Sequence, residues 1–153
     1  MEISNILSLS KTIQHAIQAM IYIDLDKGKS KVSKIAEECN IPASYLSKIV
    51  QKLSTANLLE TSTGRTGGIL LGKPSTQIKV SDIIAAVSYK EKNKDLCILG
   101  IDRCTDLAKC PIHDSWKPLK DKIARELGGK TLKELTQGMI KKKKILIENA
   151  SKF

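Results

Sequence analysis

Aromatic side chains are scarce: one Trp, one Phe and three Tyr make up 3% of 153 residues. So few rings cannot build the stacking platforms that hold unpaired bases, which disfavours single-stranded nucleic acid and RNA as partners. Acidic residues are also short, with 16 Asp and Glu against 26 Lys and Arg and a formal net charge of +10. That excess favours a polyanionic partner, though it does not bear on the fold. No apolar run reaches the length of about 18 residues that spans a membrane. The N-terminus MEISNILSLSKTIQ has neither a basic start nor an unbroken apolar segment, so a cytoplasmic protein without membrane contact is expected. The two histidines, His15 and His113, are far apart in sequence, and no Ser/His/Asp or nucleotide-binding pattern occurs. Nothing therefore resembles a catalytic constellation, and an enzyme is not expected. Duplex DNA is the expected partner.

What is present is aliphatic and helical. Hydrophobic residues make up 41% of the chain, enough to bury a core in one domain, or in a small domain with a partner-dependent extension. The segment LSKTIQHAIQAMIYIDLDK places Ile13, Ala16, Ile17, Met20 and Ile21 at helical spacing, with Gly28 as a stop. KVSKIAEECN reads as a short second helix that Ser33 caps, with Ile35, Ala36 and Cys39 inward and Asn40 closing it. In NIPASYLSKIVQKLSTANLL, Leu46, Ile49, Val50 and Leu53 form one apolar face, while Ser44, Ser47, Lys48, Gln51 and Lys52 point elsewhere. Two helices joined by a short link make a helix-turn-helix, whose second helix offers hydroxyls and lysines to base edges and phosphates.

The next segment strengthens that reading. LLETSTGRTGGILLGKP holds two β-like runs, Leu58 to Ser62 and Ile69 to Leu71, around a turn whose glycines Gly64, Gly67 and Gly68 permit positive φ and close backbone approach. A glycine-rich hairpin directly after a helix-turn-helix is a wing. Arg65 at its tip suits a minor groove or a phosphate, and between Ser44 and Lys79 five basic residues face the single acid Glu60. The expected DNA-binding set is Ser44, Tyr45, Ser47, Lys48, Lys52, Arg65, Thr66 and Gly67.

CILGIDRCTDLAKCPIH holds three of the four cysteines. Six residues separate Cys97 from Cys104, five separate Cys104 from Cys110, and His113 follows with two residues between. Cys39 stands apart on the inward face of the second helix, as small apolar thiols commonly do. An odd set of three in a reducing compartment argues against a structural disulfide. A zinc site of three cysteines and one histidine is chemically possible, although structural zinc usually takes a close Cys pair, which is missing. Unliganded redox thiols and plain loop cysteines also remain open. An iron-sulfur cluster, whose thiolate ligands can come from one loop, is the reading these residues favour.

After the loop, HDSWKPLKDKIARELGG reads as a helix with Trp116, Leu119, Ile123 and Leu127 on one side, ended by Gly128 and Gly129. A stripe of this kind needs a partner, and in so short a chain the simplest is the same helix of a second subunit, giving a two-fold homodimer on a palindromic operator. Thr131 and Glu134 form a capping box for a last helix that runs into Lys141 to Lys144, a solvated lysine face.

The chain resembles the IscR/NsrR-type winged-helix transcription regulators. The resemblance covers nearly its whole length, through HAIQAMIYI, SKIAEECNIPASYLSKIVQKLSTANLL, GRTGGILLGKP, IKVSDIIAAV, the three cysteines and TLKELT. It implies a mainly α fold with a small β-wing. A winged helix-turn-helix DNA-binding domain would occupy residues 1–80, and a cluster-binding loop with dimerisation helices residues 81–153. It also implies a dimeric repressor controlled by an iron-sulfur cluster that senses redox state, iron, nitric oxide or cluster supply, with 2Fe-2S preferred over 4Fe-4S. The alternative within the family is a cluster-free regulator answering to a metabolite or a partner protein. IscR-like members space their cysteines evenly and add a histidine, whereas here the first gap is longer by one residue. Other members recruit an acid from the first helix of the partner subunit, and the matching position here is Gln14, a poor iron ligand. The implied ligands are therefore Cys97, Cys104, Cys110 and His113. Ser47 stands where IscR-like members carry a glutamate that helps select operators, so their DNA preference does not transfer.

Overall fold

The computed structural model describes residues 9–88, 97–99, 103 and 105–150. Within them the chain forms six helices and one two-stranded antiparallel sheet, in the order α1 (Lys11–Asp26), α2 (Val32–Cys39), α3 (Ala43–Thr55), β1 (Leu59–Ser62), β2 (Gly68–Leu71), α4 (Val80–Val87), α5 (His113–Gly128) and α6 (Leu132–Ala150). This is the expected mainly α, winged-helix architecture.

Local signals account for most boundaries. Ser10 caps α1, its Oγ accepting the Ile13 amide at 3.4 Å. The left-handed residue that ends α1 is Lys27 (φ 50), not the expected Gly28. The reversal thus comes one residue early, which sets Ser30 in register with Ile69 of β2. The expected Ser33 cap is also corrected. Lys31 occupies the cap position of α2 with extended backbone and no side-chain capping bond. Pairing of Ser30 with β2 holds the chain extended up to Lys31, so the helix starts at Val32 and Ser33 falls inside its first turn. Asn40 closes α2 as expected, in the left-handed region (φ 53), its amide donating to Glu37 while that of Ile41 donates to Ala36.

In the wing, Leu59 pairs with Leu71 and Ser62 with Gly68. Of the three turn glycines only Gly64 needs positive φ (95). Gly67 is required for space instead, since a Cβ there would lie 2.3 Å from the Ser62 carbonyl oxygen.

The core is aliphatic, as so few aromatics demand. Met20, Ile35, Leu46, Ile49, Leu53, Leu58 and Ile69 pack with Ile83 and Val87 of α4 and Leu132 of α6 in one cluster. The junction of α5 and α6 is stitched to the segment before α4. The Val80 amide donates to Lys130 and the Leu132 amide to Ile78, both at 2.8 Å. The expected Thr131 and Glu134 capping box is present, the Thr131 amide donating to Glu134 at 2.7 Å and the Glu134 amide to Thr131 Oγ1 at 3.2 Å. No helix among the described residues is long and apolar enough to cross a membrane.

Candidate DNA-binding surface and cysteine loop

Helix α3 lays Leu46, Ile49, Val50 and Leu53 into the core and leaves Ser44, Ser47, Lys48 and Gln51 exposed. Two residues of the expected DNA set lie along the edge of that face and have partners inside the chain. Tyr45 shares a 2.6 Å hydroxyl-hydroxyl hydrogen bond with Thr12 and meets the His15 ring edge-on, with centroids 5.7 Å apart. Lys52 donates its ammonium to the Val87 carbonyl at 3.3 Å, placing a cation at the C-terminal end of α4. Ser47 donates to the Ala43 carbonyl of its own helix. Across from α3, the Gly67 amide donates to the Gly64 carbonyl at 3.1 Å. This turn places Arg65 and Thr66 at its two central positions, both exposed at the tip of the wing.

A basic element that sequence patterning missed joins this surface. The loop between α1 and α2 adds a short third edge to the wing: the Ser30 amide donates to Ile69 at 3.2 Å and the Ile69 amide returns the bond at 2.8 Å. Lys29 and Lys31 flank the fully buried Ser30 and are both exposed. The only sequence signal was the alternation of lysines in DKGKSKVSK.

Of the cysteine loop, Cys104 lies outside the described residues, while Cys97, Cys110 and His113 lie within them. Around them Thr105 to Lys109 are exposed, yet Cys97 is 7% and His113 only 2% exposed. A histidine that opens a helix is ordinarily solvent-facing, and here it is not. Its amide donates to the Cys110 carbonyl at 3.0 Å, so thiol and imidazole stand on one backbone turn. The ring's Nε2 lies 3.1 Å from Asp106 Oδ1, and Lys117 holds the other carboxylate oxygen at 3.1 Å. Lys117, and after it His113, keep Asp106 below the usual carboxylate range.

The donor set fits an iron-sulfur cluster chemically, with thiols and one imidazole drawn from a single loop and partly shielded from water. Among the described residues no three His, Cys, Asp or Glu side chains converge. Cys39 is half-buried at the edge of the core, and burial, followed by Glu38, pushes its thiol up, a poor setting for a thiolate ligand. Gln14 donates its side-chain amide to the Leu9 carbonyl at 2.7 Å. On α5, Trp116 and Ile123 are half-buried, while Leu119 and Leu127 are 43% and 39% exposed.

A helix-turn-helix followed by a glycine-turned wing, with exposed hydroxyls and cations on one side, defines a winged-helix DNA-binding protein. The chain belongs to the Rrf2 family, described as iron-dependent transcriptional regulators, whose sequence profile matches residues 9–138. The HTH-type transcriptional regulator IscR of Sodalis glossinidius is 33% identical over 124 residues, covering 80% of this chain and 74% of that protein. The IscR of Cronobacter sakazakii is 32% identical, over 80% of this chain and 75% of that one. Among solved structures, T. potens IscR superposes with a TM-score of 0.67 at 24% identity, over 87% of this chain and 88% of that one. CymR, the global cysteine regulator of B. subtilis, superposes with a TM-score of 0.71 at 22% identity, over 86% and 97%. Both superpositions carry the fold alone. The protein is a DNA-binding transcriptional regulator and not an enzyme.

Proposed function

We propose that the chain is a homodimeric repressor whose operator affinity is set by an iron-sulfur cluster held by Cys97, Cys104, Cys110 and His113. The observation that carries this reading is the burial of Cys97 and His113 in a loop whose other described residues are exposed, the half-buried Cys110 apart. Removing a polar ring from solvent is unfavourable without compensation, and here the ring is held by Asp106 and tied through the backbone to Cys110. When bound, a 2Fe-2S cluster supplies a one-electron centre that responds to redox state, iron supply or nitric oxide. Asp106 orients the imidazole, and Lys117 orients Asp106.

The loop leads into α5, whose open apolar stripe of Trp116, Leu119, Ile123 and Leu127 suits a two-fold partner. The far end of α5 is stitched to the chain just before α4. A change in the loop therefore acts on α5, which carries the proposed seam and packs against α4 of the winged helix, and through it on the spacing of two recognition helices on a palindromic operator. Ser44, Ser47 and Lys48 face the major groove, with Arg65, Thr66 and Gly67 at the wing, while Tyr45 and Lys52 hold α3 in place. A second reading, a cluster-free regulator answering to a metabolite or partner protein, draws on the engagement of His113 Nε2 by Asp106.

Anaerobic purification separates the two. A brown protein whose visible absorption vanishes in Cys97→Ala, Cys104→Ala or Cys110→Ala, with helix content kept, supports the cluster. His113→Ala should take up iron and lose it faster, and His113→Cys should restore retention and lower the reduction potential, because thiolate donates more charge to iron than imidazole does. A colourless wild-type protein rejects the cluster. A His113→Ala variant equal to wild type in cluster lifetime and potential moves the fourth ligand elsewhere.

A further inference from the structure

We propose that Lys29 and Lys31 form a second, sequence-independent grip on the DNA phosphate backbone, alongside the wing. The proposal rests on the reading that α3 and the wing face duplex DNA. The two reciprocal backbone bonds between Ser30 and Ile69, at 3.2 and 2.8 Å, make the α1–α2 loop an edge of the wing sheet. Side chains alternate along such an edge. Ser30 points inward, fully buried, its hydroxyl donating to Asp26 Oδ2 at 2.5 Å, so its two neighbours fall together on the outer side.

Lys31 lines a cleft of about 410 Å³ with Thr61, Thr63, Gly64 and Gly67 of the wing. Lys29 lies against β2, where its Cβ would be 2.9 Å from a Cβ at Gly68, so that position has to be glycine for the loop to approach. The nearest carboxylate in sequence, Asp26, is already engaged by Ser30 and by Lys34 at 3.1 Å. Among the described residues neither Lys29 nor Lys31 has an ion-pair partner. With Arg65 at the tip, this side of the domain presents exposed cations from the wing and from the α1–α2 edge that pairs with it. A ladder of phosphates spaced along one strand is the ligand that matches exposed, unpaired ammonium groups beside a recognition helix. A grip of this kind adds affinity and no base preference.

The test uses the full chain, a duplex recovered from a random pool by the wild-type protein, and a shuffled duplex of the same length. Lys29→Gln/Lys31→Gln should flatten the slope of log K against log salt by about 0.9 for each phosphate no longer neutralised, summed over all bound subunits. The change should appear on both duplexes and leave their affinity ratio as in wild type. An unchanged slope, with Lys48→Gln and Arg65→Gln still lowering theirs, overturns the grip and keeps the DNA-facing assignment. An altered affinity ratio also overturns it, because the lysines would then read bases. If none of the variants changes the slope, the DNA-facing surface itself is misassigned, and the grip falls with it.

Discussion

Helices α3 and α5 carry the same kind of apolar stripe and bury it to different degrees. In α3 every member of the stripe is buried, because α1, α2 and α4 of the same chain close over it. In α5 the members are half-open, because among the described elements it is mainly α4 that packs against this helix. Periodicity announces that a helix needs an apolar neighbour and says nothing of where that neighbour comes from. The contrast extends to polar residues. Lys48 and Lys52 on α3 are both exposed, but Lys52, one turn on, donates to the Val87 carbonyl at the end of α4.

The sharpest way to break this comparison is to make the α5 stripe charged. Leu119→Glu/Ile123→Glu would bury carboxylates in a subunit seam, so light scattering should report monomers. Operator affinity should fall by about 10²–10⁴, the advantage that two linked half-sites hold over one. A dimer that survives these changes puts the seam elsewhere.

A smaller effect is expected from emptying the α3 stripe. Leu53→Ala should lower unfolding stability by about 2–5 kcal/mol in urea titrations, the usual range for a fully buried leucine. Leu127→Ala, placed in the monomeric background, should change it by about 0.5 kcal/mol or less, as a partly exposed surface residue does. Equal changes at both positions would mean that α5 is packed within one chain.

The smallest effect separates the two lysines. Lys48→Gln should flatten the salt slope of DNA binding by about 0.9 per phosphate engaged. Lys52→Met should leave the slope alone and speed hydrogen exchange at the Ser88 amide, which donates to Ile84 in the last turn of α4. A slope change at Lys52 matching that at Lys48 would put both on the DNA.

Much of the winged helix was legible from the sequence. The α3 stripe, the Asn40 stop, the Thr131 and Glu134 box and the glycine-turned hairpin each depend on residues within a turn or two of one another. Two local readings failed where a distant strand intervened. Pairing with Ile69 keeps the chain extended through Lys31, so Ser33 does not cap and Gly28 does not make the reversal. The same pairing brings Lys29 and Lys31 to the wing, which no window along the chain could have suggested. In the loop, the cysteine spacing was visible, but the burial of His113 and its hold on Asp106 were not.

The sequence by itself determined five of the six helices among the described residues, α4 being the one that was not read from it, where the hairpin turns, that the core is aliphatic and that cations outnumber acids, since periodicity, turn chemistry and composition act locally or in sum. Only the tertiary structure decided which stripe is covered, which lysines are committed and which loop side chains leave water. Those outcomes depend on packing between residues far apart in sequence, and a hydrogen bond such as that from Lys52 to Val87 exists only once α3 and α4 have come together.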